Sequence, residues 1–166
     1  MVLDVYVEGC DDSMSCQYSG FSKFRTEILR GWNEELGKIY DNRLKFIFEG
    51  KMDEYFFEIF SKYNANNFKD GITEYLKGME DKINKILDEY DKPYNKGMKI
   101  FATHSDCDGE ISPSESELVL EAFMRVDPEK FDDSNKEMNE WYKESYNTWI
   151  KMLKYSIENG KSIIFG

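Results

Sequence analysis

The sequence predicts an α+β fold, mostly helical, with the helices packed on a small sheet. Three observations lead there. Apolar residues recur every three to four positions over long stretches, short alternating or apolar runs stand near the beginning, the middle and the end of the chain, and aromatic residues make up 16% of a chain that is also 33% charged. That combination supplies a core and a polar shell together, in keeping with a mean hydropathy of -0.68. At 166 residues the chain is read as one domain, residues 1 to 166, able to bury a core without disulfide or metal staples.

Leu3 to Val7 alternate as a short strand does, and Gly9 to Ser15 read as a polar loop. From Phe21 the apolar positions Phe24, Ile28, Trp32, Leu36 and Ile39 predict a helix of about five turns reaching Tyr40, with Ser19 or Ser22 near its cap. Arg43 to Glu49 fit either a short strand or a further apolar helix face. Asp53 to Tyr63 carry helical spacing through Phe56, Phe57 and Phe60, and a further helix follows with Phe68, Ile72, Leu76, Met79, Ile83, Ile86 and Tyr90 on one stripe. Pro93 and Gly97 break the pattern, so Met98 to Thr103 are expected as a buried strand. Ser112-Pro113-Ser114-Glu115 is a strong helix start, with Ser at the cap, Pro where its missing N–H costs nothing, and Glu placed to bond back to the cap. Ser134 with Glu137 marks a second capping box for a helix to about Asn159 that Gly160 terminates, and Ser162 to Phe165 are expected as a last strand. The sheet is then expected from the N-terminal, Met98 to Thr103 and C-terminal strands.

The charge balance narrows the partners. With 33 acidic against 22 basic residues the formal charge is -11, which repels nucleic-acid phosphates and anionic membranes, and the basic residues are dispersed among acids without forming a patch. Direct nucleic-acid and membrane binding are therefore not expected, whereas a protein partner is. The acidic excess serves solubility, or imitates phosphates to dock on a nucleic-acid-binding protein. There is no apolar signal segment and no apolar run of the ~20 residues that span a bilayer. Cys10, Cys16 and Cys107 match no redox motif. The expected location is cytoplasmic, with the thiols reduced.

The most informative segment is His104-Ser105-Asp106-Cys107-Asp108-Gly109. Alternate side chains in a turn closed by a glycine can point to one centre, which makes His104, Asp106 and Asp108, with Glu115 beyond them, candidate ligands of a divalent cation such as Mg2+, Mn2+ or Ca2+. The competing reading is structural: the same side chains bond backbone N–H groups in a tight turn and at a helix N-terminus. Cys107 alternates with the two aspartates and is expected to point into the core.

Read as a calcium loop, His104 to Glu115 resembles an EF-hand, with His where the first ligand is ordinarily Asp. Read as His-x-Asp-x-Asp-Gly-x-x-Ser, the same residues resemble the first motif of the DHH phosphoesterases, which implies metal-dependent hydrolysis of a phosphodiester or nucleotide. His104 is the only histidine, so the later Asp-His-His motif of those enzymes is absent. Together, Gln17-Tyr18-Ser19-Gly20-Phe21-Ser22-Lys23-Phe24-Arg25 and His104 to Pro113 look like an uncharacterised family of bacteria and their phages, which implies a mobile-element setting and a shared site but no assigned activity.

Tyr18, Ser19, Lys23 and Arg25 form a candidate ligand-binding group, able to hold an anion if the start of that helix meets the acidic loop in space. The alternative is that Phe21 and Phe24 are core and that Lys23 and Arg25 pair with surface acids. The function expected from these readings is an acidic binding or interaction protein directed at a host defence or regulatory protein. The alternative is a metal-dependent hydrolase, so the sequence leaves open whether the chain is an enzyme.

Overall fold

A computed structural model describes residues 1–51 and 68–166. The class is α+β and mostly helical, with helices packed against a four-stranded antiparallel sheet. Strand β1 (Val2–Val7) buries Leu3, Val5 and Val7 and exposes the residues between them, as its alternation predicts. Gly9, at φ 85°, turns the chain, and β2 (Ser13–Gln17) pairs back along β1 from Tyr6↔Ser13 to Val2↔Gln17. The expected polar loop is therefore shorter. Met14 is the apolar anchor of a strand whose other residues are serines, Cys16 and Gln17, too polar to signal β in isolation.

The long helix expected from Phe21 to Tyr40 is two helices, α1 (Tyr18–Trp32) and α2 (Glu34–Glu49). Asn33 is extended and caps α2 by accepting the Leu36 N–H at 2.9 Å. The apolar period runs unbroken through the joint because both helices bury that stripe, which hides the break. The start of α1 lies at Gln17 with no side-chain cap, not at Ser19 or Ser22. Arg43 to Glu49 are helical, and Gly50 closes α2 in the left-handed conformation. The helix expected at residues 53–63 lies outside the described residues. Helix α3 (Phe68–Glu89) forms where the periodicity predicts it but buries Tyr75, Met79, Ile83 and Leu87. Of the predicted stripe, Met79 and Ile83 are therefore core, Ile72 and Ile86 are half-buried, and Leu76 and Tyr90 are exposed.

Met98 to Thr103 are not a strand. They belong to helix α4 (Asn95–Thr103), which buries Met98, Phe101 and Ala102 at helical spacing. A short apolar run has no period of its own to separate strand from helix, and packing decided it. The motif's own Gly109–Ile111 form β3 instead, an edge strand beside β4 (Ile163–Phe165), and the sheet order is β2-β1-β4-β3. Between them stand α5 (Pro113–Phe123), a short 3-10 turn at Pro128–Lys130, and α6 (Lys136–Asn159). Ser112 and Glu115 form the full capping box of α5. The second box is absent: Asn135 caps α6, while Ser134 donates to Asp132. Gly160 terminates α6 at φ 61° as predicted.

The core is aromatic. Trp149 of α6 is fully buried, with ring centroids of Phe101, Phe123, Phe165, Phe21 and Phe24 at 5.3, 5.8, 5.9, 6.3 and 6.3 Å. Each such ring removed from water contributes ~1.5–3 kcal/mol, so this cluster locks α1, α4, α5 and α6 onto the sheet. Its consequence for the site is positional. Phe101, three residues before His104, and Phe165, under the His104 ring, hold both ends of the motif loop.

Candidate functional site: the loop after helix α4 and the cavity beside it

His104 is the C-cap of α4, in extended conformation, and its ring stacks on Phe165 with centroids 4.2 Å apart. Nδ1 lies 2.6 Å from the Ser105 carbonyl oxygen and Nε2 lies 3.2 Å from that of Glu110. A cation at either nitrogen would have to displace a backbone contact. Ser105 organises the turn: its hydroxyl donates to Asp108 Oδ1 at 2.8 Å and accepts the Cys107 N–H at 3.3 Å. Gly109 supplies the positive φ of 99° that the turn requires, and a Cβ there would touch the imidazole at 3.4 Å. Cys107 is exposed, contrary to the expectation that it points inward, because the loop is an irregular turn in which alternation carries no facing information.

Glu115 accepts the Ser112 N–H at 3.1 Å, and the Ser112 hydroxyl accepts the Glu115 N–H at 3.2 Å, so this carboxylate completes the helix cap. Among the described residues no three His, Cys, Asp or Glu side chains are grouped to hold a metal ion. The motif loop is thus held together by its own hydrogen bonds.

Helix α1 and the loop do meet, through Arg25. Its Nη2 donates to the His104 carbonyl oxygen at 2.7 Å, and its guanidinium carbon lies 4.9 Å from the Phe21 ring centroid. Of the other candidate ligand-binding residues, Ser19 and Lys23 are exposed and Tyr18 packs on the core. Burial pushes the Arg25 guanidinium below its ordinary range, against the pull of Tyr40 and Asp106. Burial likewise raises the Tyr40 hydroxyl, opposed by Arg25 and Arg43.

Arg25, His104 and Asp106 line one cavity of about 490 Å³, and Tyr40 and Arg43 of α2 and Ile83 and Asn84 of α3 share its wall. These α2 and α3 residues escaped the sequence reading. The signal for α2 was present: Tyr40, Arg43, Leu44 and Ile47 stand at helical spacing on one face, once Arg43 to Glu49 are recognised as helix. No family model, no curated protein and no solved structure matches the chain.

Proposed function

We propose that this chain is a binding protein, not a hydrolase, and that it docks a basic, apolar-faced segment of a protein partner in a shallow groove at the ends of α5 and α6. The observation that carries the reading is the groove itself. It has a volume of about 570 Å³ and a floor made by Tyr94, Leu120, Met124 and Ile157. Met124 is 61% exposed and Tyr94 37%, an apolar surface on a chain otherwise rich in charge. Glu117 and Glu121 stand on its rim, one helical turn apart on α5. Among the described residues the one cation on the rim, Arg125, is held by both oxygens of Asp91. The rim therefore offers net negative charge around apolar contacts, complementary to a Lys- or Arg-bearing segment with an apolar face. The formal charge of -11 adds attraction at longer range.

Against hydrolysis stands the state of the loop, where His104, Asp108 and Glu115 are engaged in backbone and turn contacts. The resemblance to a bacterial and phage family directs the partner reading to a host defence or regulatory protein. The test is affinity capture from host lysate with three baits: wild type, Met124→Asp, and Glu117→Lys with Glu121→Lys. Recovery of a stoichiometric partner by wild type, lost with both variants at unchanged melting temperature, is expected. A partner that binds all three baits equally, or no stoichiometric partner at all, overturns the proposal.

A further inference from the structure

The chain's arginines divide into two kinds. Arg30 pairs with Glu27 at 2.7 Å, and Arg125 pairs with Asp91. Arg25 and Arg43, the other two, make no ion pair among the described residues, although the chain carries 33 carboxylates. Both of these arginines line the same cavity, between α1, α2, α3 and the end of α4. Among the described residues Arg25 commits one N–H to the His104 carbonyl oxygen, and its Nε–H is buried without a partner. A buried, unsatisfied guanidinium N–H is costly, and structures retain such groups chiefly where something else completes them. Arg43 is exposed and rests beside the Tyr40 ring at 5.9 Å, with no ion pair among the described residues to hold it back from an incoming anion.

The rest of the wall sets the ligand's chemistry. Leu44, Ile47, Phe48 and Ile83 present apolar surface, while Ser22 and Asn84 add neutral hydrogen-bonding groups. Glu80 and Asp106 also line the cavity, so its four formal charges sum to zero. A dianion such as phosphate would face two carboxylates as well as two arginines, whereas a monoanion placed between the guanidiniums gains their forks at a smaller repulsive cost. The volume of about 490 Å³ is that of a small-molecule pocket.

We propose that this cavity binds a small organic carboxylate with an apolar body, its carboxylate held between Arg25 and Arg43 and its body against Leu44, Ile47, Phe48 and Ile83. This site is separate from the partner groove on α5 and α6 and does not depend on that reading. Binding ties α1 and the motif loop, through Arg25, to α2, through Arg43.

The experiment is calorimetric titration of the full chain with 3-phenylpropionate, 3-phenylpropanol and inorganic phosphate. Saturable one-to-one binding of 3-phenylpropionate is expected, with affinity at least tenfold weaker for the alcohol and for phosphate. Arg43→Gln is expected to weaken 3-phenylpropionate at least tenfold while melting as wild type does, since Arg43 is exposed and makes no ion pair among the described residues. Ile47→Glu, at a position 54% exposed, tests the apolar wall independently and is expected to weaken the same probe. Failure of 3-phenylpropionate to bind, equal binding of phosphate or of the alcohol, or unchanged affinity in both variants overturns the proposal.

Discussion

Replacing Gly97 by alanine tests the packing that sets the motif loop in place. In an exposed helix this change stabilises by ~1 kcal/mol, because glycine loses more backbone freedom on folding. Here an added Cβ would stand 1.8 Å from the Leu118 carbonyl oxygen, 2.2 Å from its carbon and 2.7 Å from Val119 N. Ordinary contact begins at 3.4 Å, a shortfall of about 1.6 Å against the oxygen. The obstacle is the backbone of α5, which cannot swing aside as a side chain can. Helix α4 must withdraw instead, and Phe101 withdraws with it from Phe123 at 5.0 Å and Trp149 at 5.3 Å. Overpacking and loosened core contacts together outweigh the propensity gain, for a net loss of ~2–4 kcal/mol. For a chain of this size that lowers the melting temperature by roughly 5–15 °C. Circular dichroism melts of the variant and of Gly50→Ala measure it. Gly50 has positive φ but nothing within 4 Å of its added Cβ, so it is expected to lose only ~1–2 kcal/mol. A Gly97→Ala protein that melts at or above wild type would refute the close α4–α5 approach.

Three further outcomes follow from local geometry. Ser112→Ala removes the acceptor of the Glu115 N–H and should cost ~0.5–2 kcal/mol in urea unfolding, whereas a loss near zero would mean the box is ornamental. Glu27 is 4% exposed, and burial raises its carboxyl above the usual 4.5 despite bonds from the Asp132 N–H and Arg30. A raised carboxyl favours the folded state most below its unfolded pKa, and that advantage is lost as pH rises through the folded value. The stability of wild type relative to Glu27→Gln should therefore decline as pH rises from the usual carboxylate value of 4.5, and a difference that grows with rising pH would contradict the assignment. Finally, because His104, Asp108 and Glu115 are occupied within the protein, Mn2+ or Ca2+ at millimolar concentration should leave the melting temperature unchanged; a saturable rise abolished by Asp106→Ala plus Asp108→Ala would restore a metal site.

What could be read from the sequence was local chemistry. Ser112-Pro113-Ser114-Glu115 specifies its capping box without tertiary help, Gly160 ends α6 where a left-handed residue is needed, and the alternation from Leu3 to Val7 carries its own facing. What could not be read was decided by packing partners distant in sequence. Met98 to Thr103 are apolar enough for a strand, and Gly97, which the pattern marks as a breaker, lies inside a helix because it lets α4 approach α5. Asn33 interrupts a stripe that both α1 and α2 bury, so the period gives no sign of the joint. For the site, the sequence left open whether Arg25 meets the loop at His104 or pairs with a surface acid, and the structure joins its Nη2 to the His104 carbonyl oxygen. It missed Tyr40, Arg43, Ile83 and Asn84 as cavity residues: α2 carries a one-faced spacing of its own, but which faces of the four helices meet around Arg25 is settled by packing between segments distant in sequence.

The central claim, that the chain acts by docking a partner in the groove of Tyr94, Leu120, Met124 and Ile157, is tested most directly by site-specific photo-crosslinking. A benzophenone amino acid at position 124 would be irradiated in host cells and compared with the same group at the exposed position 74 of α3, outside the groove. The account predicts one dominant adduct from position 124, mapping to a Lys- or Arg-bearing segment with an apolar face, and none from position 74. Adducts equal at both positions, or none at position 124, would contradict it.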